Sequence, residues 1–397
     1  MNNEIPKPPR PDDICPRPDK PVVQTTQPMA PAIYPTSVWM CNDTNQADDL
    51  LARKLDGYIY QRDGHPNADA FAEKVAALHV ADCVAVTSSG MAALSLAALS
   101  QLVPGDHVVV GKQLYGRSLL LLTQELNRLG ITSTLVDTCD LDATRAATTS
   151  ATKLVVVETI GNPCLNVADI AALAEIAHGQ DAKLLVDNTF ATPVLCRPLE
   201  LGADFVLESV SKMMNGHSDV MLGVLCGREQ DWDRVPMALA AWGLASSPFD
   251  AWLAVRGLAT MHLRVERACE TAQRVADALC GEGSVEHVDY PGLPNHFQHD
   301  LATKQFGGSY GAIVTFRLAG GRSAADAFIA AAKRIPFCPS LGEATTTLSH
   351  PESTSHRGLS SAEREVLGIS GGTIRLSIGL ESTDFVITAI QEALTAA

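Results

Sequence analysis

A lysine and an aspartate stand just past two predicted β-strands. Lys212 follows the run from residue 205 to 207 within Ser209-Val-Ser-Lys, and Asp187 follows the run from 184 to 186. A lysine that is desolvated at the mouth of a sheet can lose its proton and attack an aldehyde. A carboxylate at such a place needs a partner, and a pyridinium N–H would keep it ionised. Taken singly, most lysines are solvated surface residues and most such aspartates are turn or helix caps.

Two further strand ends carry residues of complementary chemistry. Ser88-Ser-Gly-Met91 opens an Ala/Leu-rich helix, where backbone N–H groups and hydroxyls can approach an anion. Alone, that segment reads most simply as a helix N-cap. Tyr115 follows the strand from 107 to 110, and its ring could stack on a flat cofactor, although a half-buried tyrosine is an ordinary finding.

The combination is more informative than its parts. It offers an anion cradle, a ring platform, an acid for a ring nitrogen and an amine for an aldehyde, and pyridoxal 5′-phosphate (PLP) needs all of them. Neither the G-x-G-x-x-G pattern of a dinucleotide site nor a P-loop is found. The sequence therefore predicts a PLP site at the strand ends.

The elements that position these residues alternate between strand and helix from about residue 68. Such alternation predicts an α/β fold with a mainly parallel sheet covered by helices on both faces, and ligands then bind beyond the carboxyl ends of the strands. A long helical region from about 248 to 279 precedes a remainder that reads as a smaller α+β domain. The predicted strands of the first part start at 83, 107, 133, 154, 184 and 205.

Composition limits the class of partner. The 397 residues include 30 basic and 45 acidic side chains, for a formal charge of -15, which argues against nucleic acid or an anionic membrane as the main partner. No segment is apolar and long enough to span a bilayer, and Met1 to Pro21 is Pro-rich and charged, unlike a secretory signal. The 10 cysteines are scattered without CxxC spacing, so we predict no metal site and a cytoplasmic location.

From about Tyr34 to the C-terminus, the chain resembles the Cys/Met-metabolism group of PLP-dependent enzymes of fold type I. This group includes cystathionine γ-synthase, cystathionine γ-lyase, cystathionine β-lyase and methionine γ-lyase. The motifs that carry the resemblance are Val186-Asp-Asn-Thr-Phe190 and Ser209-Val-Ser-Lys212, the latter followed by Asn215-Gly-His-Ser-Asp219.

The resemblance implies a role for each site residue. Lys212 would form the Schiff base with PLP and move protons, Asp187 would pair with the pyridine nitrogen, and Tyr115 would stack on the ring and act as an acid or base. Arg375 would grip the substrate carboxylate through its guanidinium, helped by Ser340 and by Asn162. The residues implied to bind the phosphate are Ser89, Gly90, Met91, Ser209 and Ser211, with Tyr60 and Arg62 reaching the site of a neighbouring subunit.

The implied assembly is a homo-oligomer, a dimer of dimers with active sites shared between subunits. The corresponding division of the chain is an extended arm over residues 1–60 that contacts the neighbour, a PLP-binding α/β domain over 61–255 and a C-terminal α+β domain over 256–397.

Several positions depart from the family pattern. His65-Pro-Asn67 replaces Asn-Pro-Thr, and Thr345 and Thr346 stand where a glutamate and a serine are usual, with an acid at Glu343 instead. Arg117 follows Tyr115-Gly, and Leu120 replaces an arginine of the members that use cystathionine. These positions are expected to face the distal end of the substrate.

The expected reaction is γ-elimination or γ-replacement on a small amino acid. Leu341 stands where cystathionine β-lyases have a tryptophan, which favours chemistry at the γ carbon. Two alternatives stay open: a β-lyase that acts on cystathionine or a cysteine conjugate, and a non-catalytic member of the family.

Overall fold

The computed structural model describes residue 26 and residues 28–396 of the chain. Residues 33–397 group into one compact unit that contains two β-sheets. Its α-helices are α1 (Thr44–Leu51), α2 (Pro66–His79), α3 (Gly90–Gln101), α4 (Gly116–Leu120), α5 (Leu141–Ala147), α6 (Ile170–His178), α7 (Thr192–Leu195), α8 (Val235–Ala241), α9 (Pro248–Leu258), α10 (Met261–Leu279), α11 (His299–Phe306), α12 (Gly321–Ala331), α13 (Ser361–Val366) and α14 (Thr383–Leu394).

The larger sheet has seven strands in the order β1-β7-β6-β5-β4-β2-β3. Strands β2 to β6 run parallel, and β7 pairs antiparallel with both β1 and β6. The strands are β1 (Cys83–Thr87), β2 (His107–Gly111), β3 (Thr132–Val136), β4 (Thr152–Glu158), β5 (Lys183–Asp187), β6 (Phe205–Ser209) and β7 (Gly223–Gly227).

Successive strand residues point to opposite faces of this sheet, and apolar side chains are buried on both faces. In β5, Leu184 and Val186 belong to one hydrophobic core and Leu185 to the other. The same alternation gives the face to which the side chain of the last residue in each strand points. By this alternation, Glu158 and Asp187 point to the same side of the sheet as Leu185.

The smaller sheet is antiparallel, with the order β10-β11-β9-β8. Its strands are β8 (Val285–Asp289), β9 (Ile313–Leu318), β10 (Thr347–Ser349) and β11 (Thr373–Ser377). The long helix α10 packs on β8 and β9, and α14 packs on α10. The predicted fold, a mainly parallel α/β sheet with helices on both faces and a smaller C-terminal α+β part, is confirmed.

The structure differs from the expected elements at several points. The sequence from 117 to 129 is typical of one continuous helix, but the structure has α4 followed by a π-turn (Leu121–Glu125) and a 3-10 turn (Asn127–Leu129). The helical region from 248 to 279 divides into α9 and α10 at Thr260, whose φ and ψ of -119° and 6° are not helical. Strand β7 was not predicted, since it is only five residues long and both its first and its last residue are glycine.

The predicted arm over residues 1–60 falls partly on residues 1–25 and 27, outside the described part of the chain. Within the described part, α1 interrupts the extended backbone, because Asp43 caps it by accepting the N–H of Gln46. The boundary predicted between 255 and 256 lies inside α9, and the division into domains stays a prediction. Among residue 26 and residues 28–396, no helix has the length and apolarity needed to cross a bilayer.

Candidate active site

Lys212 lies in the turn after β6, with its amine directed at the loop that precedes β10. Its Nζ donates a hydrogen bond to Ser340 Oγ at 2.8 Å. Burial lowers the pKa of this amine, so the neutral form that attacks an aldehyde becomes easier to reach. Gly342 makes the contact possible: at φ +84°, a Cβ there would lie 2.4 Å from Met213 N, so only glycine lets this loop approach the lysine.

Arg264 fixes the turn that carries the lysine. Its guanidinium is buried and donates to the carbonyl oxygens of Met213 and Met214, at 2.9 and 3.0 Å. A third bond reaches the carbonyl of Gly257 in α9. Sequence reasoning missed this residue, because nothing in the local pattern of α10 marks an inward arginine.

Asp187 is the last residue of β5, and one of its carboxylate oxygens already accepts hydrogen bonds. Oδ1 accepts hydrogen bonds from the N–H and the hydroxyl of Thr189, and that hydroxyl in turn accepts the N–H of Ser209 at 2.9 Å. Burial raises the pKa of Asp187 to about 6, against the effect of the bonds from Thr189. Oδ2 accepts no hydrogen bond from any described residue, so it is available to a ring N–H.

Glu158 lies beside Asp187 and was not predicted as a site residue. Its Oε1 accepts the backbone N–H of Tyr115 at 2.7 Å, and its Oε2 accepts that of Asn162 at 3.1 Å. Burial, and then the charge of Asp187, raise the pKa of Glu158 well above its usual value. Its position at the end of β4, level with Asp187 on β5, was a signal that could have identified it.

Arg375 lies in the middle of β11, almost fully buried. Nη1 donates to Asn162 Oδ1 at 2.8 Å and Nη2 donates to the carbonyl oxygen of Ser340 at 3.0 Å, while the buried Nε has no hydrogen-bond partner. Burial lowers the pKa of the guanidinium to about 10, and the nearby Glu343 and Glu158 oppose that shift. The three residues predicted to bind substrate, Arg375, Ser340 and Asn162, are thus in direct contact.

The predicted phosphate segments also meet. Gly90 begins α3, and a Cβ there would lie 2.8 Å from Ser209 Cβ, so the two segments touch only because residue 90 is glycine. Ser89 caps α3 by accepting the N–H of Ala92, which leaves its hydroxyl proton free to donate. Ser211 is engaged differently: its hydroxyl exchanges hydrogen bonds with both backbone groups of Leu222.

Tyr60 and Arg62 lie elsewhere in the chain. Both belong to the segment before α2, where the Arg62 guanidinium stacks over the Tyr60 ring at 4.9 Å. Within the described residues, no hydrogen bond or ion pair joins either side chain to Ser89, Gly90 or Ser209. Tyr60 is 43% exposed, and its contact with a second copy of the chain stays a prediction.

The departures at His65-Pro-Asn67 and at Thr346 stabilise the fold locally. His65 is buried and caps α2 by accepting the N–H of Ala68, and Pro66 starts that helix. Asn67 Oδ1 accepts the N–H of Tyr34. Thr346 donates its hydroxyl proton to Glu381 at 2.7 Å and accepts the N–H of Gly379. These side chains are therefore engaged within the fold.

The residues present fit PLP. The free Asp187 oxygen, the buried amine of Lys212 and the close approach of Gly90 to Ser209 provide for the ring nitrogen, the aldehyde and the phosphate of that molecule. Within the described part of the chain, no group of three or more His, Cys, Asp or Glu side chains could hold a metal ion.

Comparison with known proteins agrees with this chemistry. Residues 17–395 match the family described as Cys/Met metabolism PLP-dependent enzyme. The L-methionine gamma-lyase of Porphyromonas gingivalis is 40% identical over 92% of this chain and 92% of its own length. The cystathionine gamma-synthase of Mycobacterium bovis is 38% identical over 92% of this chain and 93% of its own.

A solved structure adds the cofactor. The putative O-acetylhomoserine (thiol)-lyase of Campylobacter jejuni, solved with a pyridoxyl-lysine monophosphate residue, superposes with a TM-score of 0.90. It is 26% identical, over 94% of this chain and 96% of that one. The protein is a PLP-dependent enzyme that acts on an amino acid by γ-elimination or γ-replacement, and its chain belongs to the Cys/Met metabolism PLP-dependent enzyme family.

Proposed function

We propose that Lys212 moves the proton at the α carbon of a small amino acid whose carboxylate lies on Arg375 and whose γ substituent is then expelled. One observation carries this proposal: Ser340 binds the lysine amine through its hydroxyl and the arginine through its carbonyl. An α-amino acid held at Arg375 therefore presents its α carbon next to Lys212, within reach for proton transfer.

The guanidinium is held ready for a carboxylate by its neighbours. Asn162 and Ser340 fix two of its nitrogens, so little conformational entropy is lost when a carboxylate binds to the remaining N–H groups. Glu158 holds the backbone of Asn162 and of Tyr115, which aligns the carboxylate site with the ring platform.

PLP bound here would supply an electron sink for the electron pair that stays on the α carbon when its proton leaves. Asp187 would hold the ring nitrogen, while the N-terminus of α3 and the Ser89 hydroxyl would bind the phosphate together with Ser209. Met91 would add its backbone N–H. Ser211, whose hydroxyl is bonded to Leu222, would act by shaping the turn.

The first experiment identifies the carbon that loses its substituent. The protein loaded with PLP is incubated separately with methionine, O-acetylhomoserine, O-succinylhomoserine, cystathionine and cysteine, and the oxo acid is identified. We expect 2-oxobutyrate from a γ-substituted substrate, and none from Lys212→Ala. The exposed Lys74→Ala is the matched control and should keep full activity. Pyruvate as the main product would indicate β-elimination instead, and no product with any substrate would indicate a non-catalytic protein.

The second experiment tests the carboxylate site. Arg375→Lys keeps the charge but loses the planar fork that binds a carboxylate through two nitrogens. We expect KM to rise by about tenfold or more, the equivalent of one lost charge-assisted hydrogen bond. The exposed Arg128→Lys is the control. An unchanged KM for Arg375→Lys would remove this residue from substrate binding.

We further propose that the site is completed by a second copy of the chain, with Tyr60 and Arg62 reaching the phosphate bound by its neighbour. The test mixes two inactive variants, Lys212→Ala and Arg62→Ala, after dissociation and reassembly. Shared sites predict that mixed assemblies regain up to about a quarter of the normal activity per chain, since one intact site can form from two defective subunits. Failure to regain any activity would show that each chain carries a complete site.

A cytoplasmic location stays a prediction.

A further inference from the structure

His356 is a buried histidine beside the proposed carboxylate site. It is 1% exposed, and its ring faces the backbone of Asn162 and the guanidinium of Arg375. The side chain of the same asparagine accepts a hydrogen bond from Arg375 Nη1 at 2.8 Å. The imidazole and the guanidinium therefore meet at Asn162.

Strand pairing and the turn that follows it bring His356 to this place. Ser349 on β10 lies directly opposite Arg375 on β11, so the chain leaves the smaller sheet beside the guanidinium. The turn Pro351–Ser353 packs on β11, and the His356 N–H donates to the carbonyl oxygen of Pro351 at 2.9 Å. The backbone thus holds His356 against the strand that carries Arg375.

The residue before His356 contacts the loop of the predicted ring platform. A Cβ on Gly116 would lie 2.7 Å from the carbonyl oxygen of Ser355, so the two segments come this close only because residue 116 has no side chain. Gly116 directly follows Tyr115. The segment that carries His356 therefore contacts β11 on one side and the Tyr115 loop on the other.

The neighbours of the ring indicate which of its nitrogens carries the proton. Burial lowers the pKa of His356 to about 4, so the ring is neutral near pH 7 and has one N–H. Nδ1 lies 2.8 Å from the Ser355 hydroxyl, which can donate to it. Glu158 already accepts the N–H of Asn162, so the backbone group left to face the ring is the carbonyl oxygen, an acceptor. Both contacts favour the proton on Nε2.

Two buried nitrogens at this place lack a partner in the described part of the chain. His356 Nε2 and Arg375 Nε are both buried, and neither forms an aligned hydrogen bond. Buried donors without partners cost free energy, so a pair of them beside one site calls for an explanation. A carboxylate can accept about four hydrogen bonds, so one bound ligand could satisfy both nitrogens.

We propose that His356 donates a hydrogen bond from Nε2 to the substrate carboxylate and is, with Arg375, a second direct ligand of that group. The inference rests on the proposed function and deepens it, because it makes the selection of α-amino acids over simple amines depend on two side chains. Sequence reasoning assigned no role to His356, since only the turn after β10 brings it to the site.

The experiment compares two ligands that differ only in the carboxylate. Norleucine is an amino acid without a γ leaving group, and pentylamine is the same molecule without its carboxylate. Their dissociation constants are measured by absorbance titration of the PLP-loaded protein, for the wild type, His356→Asn and His356→Gln. The asparagine amide reaches only as far as Nδ1, whereas the glutamine amide reaches Nε2 and keeps a donor there.

We expect His356→Asn to bind norleucine about tenfold more weakly, the effect of one lost charge-assisted hydrogen bond, and to bind pentylamine like the wild type. His356→Gln should bind both ligands nearly as the wild type does. The exposed His262→Asn is the matched control and should change neither affinity.

The difference between the two ligands is the decisive readout, because a packing role of the ring would weaken the binding of both alike. Equal losses, or full norleucine affinity in His356→Asn, would overturn the inference. If His356→Asn does not fold, Ser355→Ala takes its place. Without the hydroxyl the ring proton is no longer directed to Nε2, so norleucine binding alone should weaken, and unchanged binding would be contrary.

Arg375→Lys, titrated with the same two ligands, separates this inference from the proposed function. Unchanged norleucine affinity in Arg375→Lys would refute the carboxylate site itself. Weaker norleucine binding in Arg375→Lys, together with unchanged binding in His356→Asn, would refute only the role of His356.

Discussion

Glu158 and Asp187 lie directly opposite each other on the neighbouring parallel strands β4 and β5, with their side chains on the same face of the sheet. Asp187 keeps an oxygen free, whereas Glu158 uses both of its oxygens to hold the backbone of Tyr115 and Asn162. Two acids at equivalent positions thus have different roles, since one is free to meet a ligand and the other positions the residues around it.

Replacing Glu158 by glutamine tests that positioning. Glutamine has one acceptor oxygen, so either Tyr115 or Asn162 would face an amide NH2 group and lose its hydrogen bond. A buried N–H without a partner costs about 1–3 kcal/mol, so we expect kcat/KM to fall by roughly tenfold or more with PLP still bound. Steady-state kinetics and PLP content measure this, with the exposed Glu175→Gln as control. Unaltered kinetics would show that Glu158 does not position these residues.

Gly90→Ala tests the approach of the phosphate segments. The added Cβ would lie 2.8 Å from Ser209 Cβ and 3.1 Å from Ser209 Cα, so the segments must separate. We expect PLP affinity to fall by at least about tenfold, because several phosphate hydrogen bonds depend on this spacing. Titration of the apoprotein with PLP measures the effect. Gly283→Ala, with open space around its Cβ, should bind PLP normally. Equal PLP affinity of the two variants would show that the contact between Gly90 and Ser209 does not determine phosphate binding.

PLP affinity should depend on pH through Asp187. Because burial raises the pKa of this carboxyl from 3.8 to about 6, its ionised fraction grows as pH rises from 5 to 7. The ionised form pairs with a ring N–H, so affinity should rise over the same range. The PLP phosphate also titrates near there. The contribution of Asp187 is the difference between the pH profiles of PLP affinity for the wild type and for Asp187→Asn. Identical profiles would show that Asp187 does not cause the pH dependence.

Two histidines, the half-buried His296 and the buried His356, should make the fold acid-sensitive. Burial lowers the pKa of His296 and His356 to about 4, helped by His287 and His299 in one case and by Arg375 in the other. Between pH 6.5 and 4, the unfolded chain binds protons that the native state does not, so these residues make stability fall as pH falls.

The measurement is Tm from pH 7 down to pH 4.5 for the wild type and for His296→Gln/His356→Gln. The double variant should lose less Tm over this range than the wild type does. The exposed His262→Gln should follow the wild-type slope. A double variant as steep as the wild type would place the acid sensitivity in other groups.

Much of the fold followed from local patterns. Short β-branched runs between helical segments predicted the strands β1 to β6, and the cap at Ser89 predicted the start of α3. Local patterns failed where long-range packing decides. Strand β7 exists because β1 and β6 supply pairing on both sides, and no property of Gly223–Gly227 alone indicates this.

The order of amino acids sets which groups are available: an amine at 212, a carboxylate at 187, a guanidinium at 375 and a glycine at 90, since the chemistry of each side chain is independent of the fold. Which of these groups act together depends on the folded chain. Ser340 meets Lys212 across 128 residues, and Glu158 holds the backbone of Tyr115 across 43 residues. Hydrogen bonds and charges act over a few ångströms, and folding alone brings such groups that close.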